Sequence, residues 1–256
     1  MNEASFPVMM LALPGIPLIQ PGDNLVEVIG NALKLVDMKL QSGDVLVISS
    51  KIVSKSEGRV IDLRTVQPRA EAEQLAEETG KDPRVIELVL QESQGISRKS
   101  KGVLVTQHRL GFVSANAGID QSNVAPGEDH ILLLPLNPDQ SAAAIRDALN
   151  QVSGAEVGIV ISDTHGRPFR MGNVGVAIGV AGIPALLDLR GQSDLFGRVL
   201  KITQSGYADL IASAAHLMCG EGNEGLPVIL IRGLKYTRTD GHASDLNRPP
   251  EQDLYR

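Results

Sequence analysis

Residues 102–116 read GVLVTQHRLGFVSAN, and this stretch decides the fold class. GVLVTQ (102–107) and GFVSAN (111–116) both have the Val, Thr and Phe content of strands. His108, Arg109 and Leu110 alone separate them, too few residues for the crossover helix that a parallel pair needs. They are expected to pair as a hairpin turning around His108–Arg109. With helix patterns elsewhere in the chain, the hairpin predicts an α+β fold with mixed sheets and helices, not a doubly wound parallel sheet.

Further apolar runs lie on both sides of the hairpin: DVLVISS (44–50), ILLLP (131–135), EVGIVIS (156–162), VGVAIGVAG (174–182) and PVILIRG (227–233). Several are continuous rather than alternating, the pattern of strands covered on both faces. Between them, Leu25, Val28, Ile29 and Leu33 form one helical stripe over 25–36. Asp82 followed by Pro83 opens a helix through PRVIELVLQES. Ser141 is expected to cap AAAIRDALN (142–150). Tyr207, Leu210, Ile211, Ala214 and Leu217 repeat at helical spacing over 207–218, and Gly220 ends that helix. No repeat or low-complexity linker divides the chain, so residues 1–235 are taken as the functional domain. Residues 236–256 read as a polar tail or linker.

Composition narrows the function. Of 256 residues 43% are hydrophobic, which supports a substantial core, and the net charge of −6 argues against a nucleic-acid footprint. Aromatic content of 3% without Trp removes the usual platform for stacking bases. The single cysteine, Cys219, excludes an intramolecular disulfide and a Cys-rich zinc site, and points to a reducing cytoplasm. The apolar start FPVMMLALPGIPLI (6–19) lacks a basic leader, follows Glu3 and is interrupted by Pro7, Pro14 and Pro17. It reads as a strand and loop rather than a signal peptide. No uninterrupted apolar run reaches membrane-spanning length.

Four polar segments, each read as a turn after an apolar strand, carry the candidate chemistry. In SSKIVSKSEGR (49–59), Lys51 and Lys55 precede Gly58 and could hold phosphates; solvated surface lysines fit as well, and no Walker A loop is present. In SANAGIDQSN (114–123), Asn116, Asp120 and Asn123 offer oxygens to a hard cation, although Asn and Asp also serve turns. In ISDTHGRPFRMGN (161–173), a strand end presents Asp163 and Thr164, with Arg167 and Arg170 able to grip an anion or simply to close the loop. In CGEGNEG (219–225), three glycines allow close backbone approach while Glu221 and Glu224 offer carboxylates; a helix C-cap and turn is the plainer reading.

His216 and Cys219 share a helix but lack the remaining ligands of a zinc site. Gly172, Gly175, Gly179 and Gly182 do not follow the dinucleotide spacing at a strand-to-helix turn. No G-x-S-x-G elbow occurs. Together Asp120, Asp163 and Glu221 point to one oxygen-rich site for two divalent ions and nucleotide phosphates.

At these same segments the chain resembles the coenzyme F420-0 gamma-glutamyl ligase family. The likeness runs through LPGIPLIQPGD, ISSKIVSKSEGRV, DPRVIELVLQES, SANAGIDQSN, ISDTHGRPFRMGNVGVAIGVAG, RGQSDLFGRVLKIT and GEGNEGLPVILIRG, nearly the whole chain. It implies a GTP-dependent amide ligase with an α+β fold, built as an intertwined homodimer. The substrates implied are F420-0, L-glutamate and GTP, joined through an acyl phosphate, with two divalent cations (Mn2+ or Mg2+) and K+ assisting. The metal ligands implied are Asp120, Asp163, Thr164 and Glu221. The implied nucleotide contacts begin with Pro14, Gly15, Ile16 and Pro17, then Ser49, Ser50, Lys55 and Asn123. They end with the loop of Cys219, Gly220, Glu221, Gly222, Asn223, Glu224, Gly225 and Leu226. Asp163, Arg167 and Arg170 are taken as the catalytic set, the arginines holding an anionic group of F420-0 or glutamate. His165 receives no role. DLNRPPEQDLYR resembles the joint after which some bacterial members continue into a flavin-binding domain. The competing expectations are a deazaflavin- or dinucleotide-binding oxidoreductase and a non-catalytic metal- and nucleotide-binding regulator.

Overall fold

A computed structural model describes residues 7–253; Phe6 of the apolar start and residues 254–256 of the polar tail lie outside them. The first half forms β1 (Met9–Ala12), α1 (Leu25–Leu35), β2 (Val45–Ser49), α2 (Ser50–Ser56), β3 (Val60–Asp62), α3 (Ala70–Thr79), α4 (Pro83–Gln91), β4 (Ser93–Ser100), β5 (Val103–His108) and β6 (Val113–Ala115). The second half adds β7 (His130–Leu132), α5 (Pro138–Ser153), β8 (Gly158–Arg167), β9 (Arg170–Ala181), β10 (Leu186–Asp188), β11 (Gln204–Gly206), α6 (Tyr207–Cys219) and β12 (Val228–Arg232).

The deciding stretch is a hairpin: β5 and β6 pair antiparallel, with Val105 opposite Ala115, and β4 completes their sheet. The main sheet runs β1–β12–β2–β8–β9, with β2 and β8 parallel and its other neighbours antiparallel. The fold is therefore α+β with mixed sheets, as the hairpin required.

The continuous apolar strands are buried from both sides. Leu46, Ile48, Ile159 and Ile161 pack with Ile29 and Leu33 of α1 and Leu149 of α5. Val45, Val47 and Val160, alternating with them, pack with Ala208, Ala212 and Ala215 of α6. A third cluster lies under α3 and α4, joining Leu75 and Ile86 to Leu104 and Ile131. The outer edge of β9 is sealed by two helix carboxylates: Asp139 accepts the Val180 N–H and Asp209 the Ala177 N–H, both at 2.8 Å.

Four local expectations are corrected. The helix expected to start at Ser141 starts at Pro138, with Asn137 as its cap; the fixed φ of Pro138 suits the first helical position. Residues 50–56 form α2 rather than a turn. The segment after Ser162 does not turn: β8 continues to Arg167 and pairs back with β9, so Asp163 and Thr164 lie within a strand. What ends near Ser162 is its partner β2, whose last pair is Ser49 with Ser162. The paired β8–β9 ends therefore project as a two-stranded arm.

The buried face of α6 is the fourth. Ala208, Ile211, Ala212 and Ala215 face inward, while Leu210 and Leu217 are 59% and 86% exposed. The helix lies so close to β9 that a Cβ on Gly175 would come within 2.5 Å of the Ala212 carbonyl oxygen, and only small side chains fit between. Residues 236–253 lie along the body: Gly241 N–H donates to Ile183 O, and the Asn247 amide donates to Leu110 O at 2.9 Å.

Candidate active site

Where β2 hands over to α2, and β8 leaves the main sheet, a cavity of about 360 Å3 opens. Its volume is that of a small-ligand site. Four segments build it. The β2–α2 junction contributes Ser49, Ser50, Lys51 and Lys55; Ser49 is fixed by its N–H to Pro227 O at 2.8 Å. The root of the arm contributes Ser162, Asp163 and Thr164. The end of α6 contributes Cys219, and the loop after it the backbone of Gly220, Gly222 and Gly225 with Glu221, Asn223 and Leu226. Ile16 and Pro17 form another wall.

Asn123 stitches these segments together. Its backbone carbonyl accepts from Lys55 Nζ at 2.7 Å, and its side-chain amide donates to Gly222 O at 2.8 Å. Its φ of +56° is a left-handed conformation that Asn tolerates better than most residues. Asn116, Ala117 and Gly118 are also left-handed, at φ +51°, +52° and +64°. For Ala117 this costs about 1–2 kcal/mol. The turn brings loop backbone against the site: a Cβ on Gly118 would lie 3.5 Å from Asp163 Oδ2.

Each expected metal-ligand carboxylate has a close partner. Asp163 Oδ1 accepts from Ser50 Oγ at 3.2 Å, and its Oδ2 lies 3.1 Å from His165 Nε2. Glu221 Oε1 lies 3.0 Å from His216 Nε2. Asp120 Oδ2 pairs with Lys51 Nζ at 2.7 Å, and its Oδ1 accepts from the Ser122 N–H and hydroxyl. Burial works against the Asp120 charge, but the Lys51 and Ser122 contacts outweigh it and hold the carboxyl below its ordinary range. Burial, and then the neighbouring charge of Lys51, lower Lys55. Burial pushes the Cys219 thiol up to about 11, so it is no thiolate at neutral pH.

Asp163, Thr164 and Glu221 thus share the cavity, whereas Asp120 stands behind Lys51 outside its lining. Among the described residues no three His, Cys, Asp or Glu side chains converge as a metal-binding group. The donor set still suits Mg2+ or Mn2+, because every expected ligand is an oxygen; at Asp120 one of those oxygens is held by Lys51. Pro14, Gly15 and Glu224 do not line the cavity; Glu224 folds back to accept the Gly222 N–H at 2.8 Å. Arg167 and Arg170 pair across the tip of the arm and do not line it either. Four strand residues place Arg167 about 13 Å along the chain from Asp163.

The sequence reading passes over His165 and dismisses His216 as a zinc ligand. Alternation would have found the first, since Asp163 and His165 share one face of β8. No pattern marks the second, which meets Glu221 across the end of α6.

A family model described as F420-0:Gamma-glutamyl ligase matches residues 15–233. A protein named coenzyme F420:L-glutamate ligase from Methanopyrus kandleri is 45% identical over 253 residues, covering 96% of this chain and 98% of its own. One of the same name from Methanocaldococcus jannaschii is 44% identical, covering 94% of each chain. Another, from Archaeoglobus fulgidus, is 40% identical over 97% of this chain and 96% of its own.

Proposed function

Because the chain belongs to the F420-0:gamma-glutamyl ligase family, we propose that it joins L-glutamate to the carboxylate of F420-0, using GTP, in F420 biosynthesis. One observation carries the reading: a glycine-rich loop, two lysines and the carboxylates Asp163 and Glu221 all line a single cavity. Glycine backbone and lysine ammonium groups suit phosphate oxygens, and carboxylates suit the cations that accompany them.

A carboxylate is a poor acyl donor. In the proposed reaction an oxygen of the F420-0 carboxylate attacks the γ-phosphorus of GTP, GDP leaves, and an acyl phosphate forms. The glutamate amine then attacks the acyl carbon, and phosphate departs with that oxygen as the amide forms and the amine loses a proton. Lys55, held by Asn123 O, and Lys51 place positive charge beside the transferring phosphoryl group. The nucleotide would lie against the backbone of Gly220 and Gly225, while the N–H and carbonyl of Gly222 are engaged by Glu224 and Asn123. Ser50 keeps Asp163 turned towards the junction of β2 and α2. Two divalent cations held by Asp120, Asp163, Thr164 and Glu221, with K+ assisting, would neutralise the charge that repels carboxylate from nucleotide.

Arg167 and Arg170 fit a role outside the cavity, as a forked anion grip for the far end of F420-0. Apolar surface at Met171, Leu195 and Phe196, each at least 95% exposed, fits a second copy of the chain as partner. No helix of the described residues is long and apolar enough to cross a membrane, and a cytoplasmic setting fits the lone cysteine.

No observation favours the oxidoreductase reading: Gly172, Gly175 and Gly179 lie inside β9, not at a phosphate-binding turn. The test is incubation with F420-0, glutamate, GTP and Mn2+, followed by mass spectrometry. Glutamyl addition that needs both GTP and glutamate is expected. Tight flavin binding without nucleotide turnover contradicts the proposal.

A further inference from the structure

We infer that His165 is a positioning residue for Asp163: its Nε2–H holds one carboxylate oxygen and thereby fixes how the carboxylate faces the cavity. The inference rests on the ligase reading for the purpose of Asp163, and on geometry for the contact. Along β8 the two side chains share a face, two residues apart. His165 Nε2 lies 3.1 Å from Oδ2, while Ser50 Oγ donates to Oδ1 at 3.2 Å. Each oxygen has its own donor, from different elements, so the carboxylate cannot rotate without losing one of them.

The imidazole is itself held in place. Its ring centre is 4.8 Å from that of Phe112, tilted by 50°. Phe112 lies flat against His108, at 4.9 Å and 3°. His108 is fully buried and accepts the Leu110 N–H at Nδ1, 3.0 Å away. Beneath it, Glu92 bonds Arg59 at 2.7 Å and Arg109 at 2.9 Å, and Arg109 in turn donates to the carbonyls of Pro135 and Leu136. The β5–β6 hairpin therefore reaches the site through three rings in contact, two of them stacked and the third tilted. A ligand carboxylate aimed in advance binds a cation better than one free to turn, and the loss of such an outer partner commonly costs 10–100-fold in affinity.

The test uses the full chain and three variants. His165→Leu removes the donor, His165→Gln returns an amide N–H at about the reach of Nε2, and Asp163→Asn alters the acceptor. Mn2+ affinity is measured by electron paramagnetic resonance without substrates, with melting curves to confirm folding. His165→Leu is expected to bind Mn2+ at least about 10-fold more weakly, and His165→Gln to recover most of the loss. Binding by His165→Leu as tight as that of the unaltered chain overturns the inference, as does a folded His165→Gln no better than Leu.

Nitrogen NMR of the metal-free protein, at a pH where the ring is neutral, reads the contact directly. The Nε2–H tautomer is expected, with signals that move in Asp163→Asn; an Nδ1–H tautomer, or signals indifferent to that change, overturns the inference. If Asp163→Asn leaves Mn2+ binding intact, the ligand assignment of Asp163 fails instead, and the imidazole signals decide the contact by themselves.

Discussion

Lys51 Nζ stands 2.7 Å from Asp120 Oδ2, tying the first turn of α2 to the loop ahead of β7. An ammonium in that position competes with any divalent cation for the same oxygen. Lys51→Met is therefore expected to tighten Mn2+ binding several-fold in the absence of nucleotide while raising the KM for GTP. Titration by electron paramagnetic resonance and steady-state kinetics check the two halves. Weaker Mn2+ binding would show that Lys51 supports the cation rather than substituting for it.

Gly179 tests the packing of α5 on the main sheet. A Cβ there would sit 2.5 Å from Pro138 O and 2.6 Å from Pro138 C, backbone atoms that cannot swing aside. Gly179→Ala is expected to destabilise the fold by about 1–3 kcal/mol. Urea unfolding should show a lower midpoint with an unchanged slope. An unchanged midpoint would contradict the close approach.

Glu92 makes stability depend on pH. Burial opposes its charge, but His108, Arg59 and Arg109 outweigh burial and hold its pKa at about 2. A depressed carboxyl stabilises the fold above its unfolded pKa of roughly 4.3, and loses that contribution as pH falls towards 2. Glu92→Gln should therefore be less stable than the unaltered chain at pH 7, by on the order of 2 kcal/mol. The gap should narrow between pH 4 and pH 2, as chemical unfolding at several pH values would show. A gap constant across that range would contradict the clamp.

The features legible in the sequence were those a simple period or a short spacing controls. Three residues between two strand-like runs forced the β5–β6 hairpin, and continuous apolar runs marked β2 and β8 as strands covered on both faces. Asp163 was recognised at the place where the main sheet ends. Continuation of β8 beyond it was not, because DTHGR has the polarity of a turn and its strand is made by pairing with β9. That error also hid His165. Helical spacing also puts Leu210 and Leu217 on the α6 stripe, but α6 leaves both exposed, because its close approach to β9 at Gly175 favours the small side chains of Ala208, Ala212 and Ala215 beside Ile211. α2 is too short, and too rich in Ser and Lys, to show a helical stripe. That Asp163 and Glu221 belong to one site is an expectation of the sequence, with Thr164 and Lys55 added by the resemblance; the position of Asp120, paired with Lys51 outside the lining, depends on contacts between distant segments that no local pattern encodes.

Arg167 and Arg170 face each other across the turn of the arm. If they grip the far end of F420-0, replacing either with Ala should raise the KM for F420-0 several-fold while kcat and the KM for GTP change little. Steady-state kinetics with each substrate varied in turn provide the check. Unchanged kinetics for F420-0 and glutamate alike would remove both arginines from substrate binding.

The most direct measurement of the central claim follows one oxygen atom. F420-0 labelled with oxygen-18 in its acceptor carboxylate is incubated with the protein, GTP, Mn2+ and glutamate, and the released phosphate is analysed by mass spectrometry. Activation through an acyl phosphate predicts that each phosphate formed with the amide carries one oxygen from that carboxylate. Phosphate free of label, beside labelled glutamylated product, would contradict the proposed route.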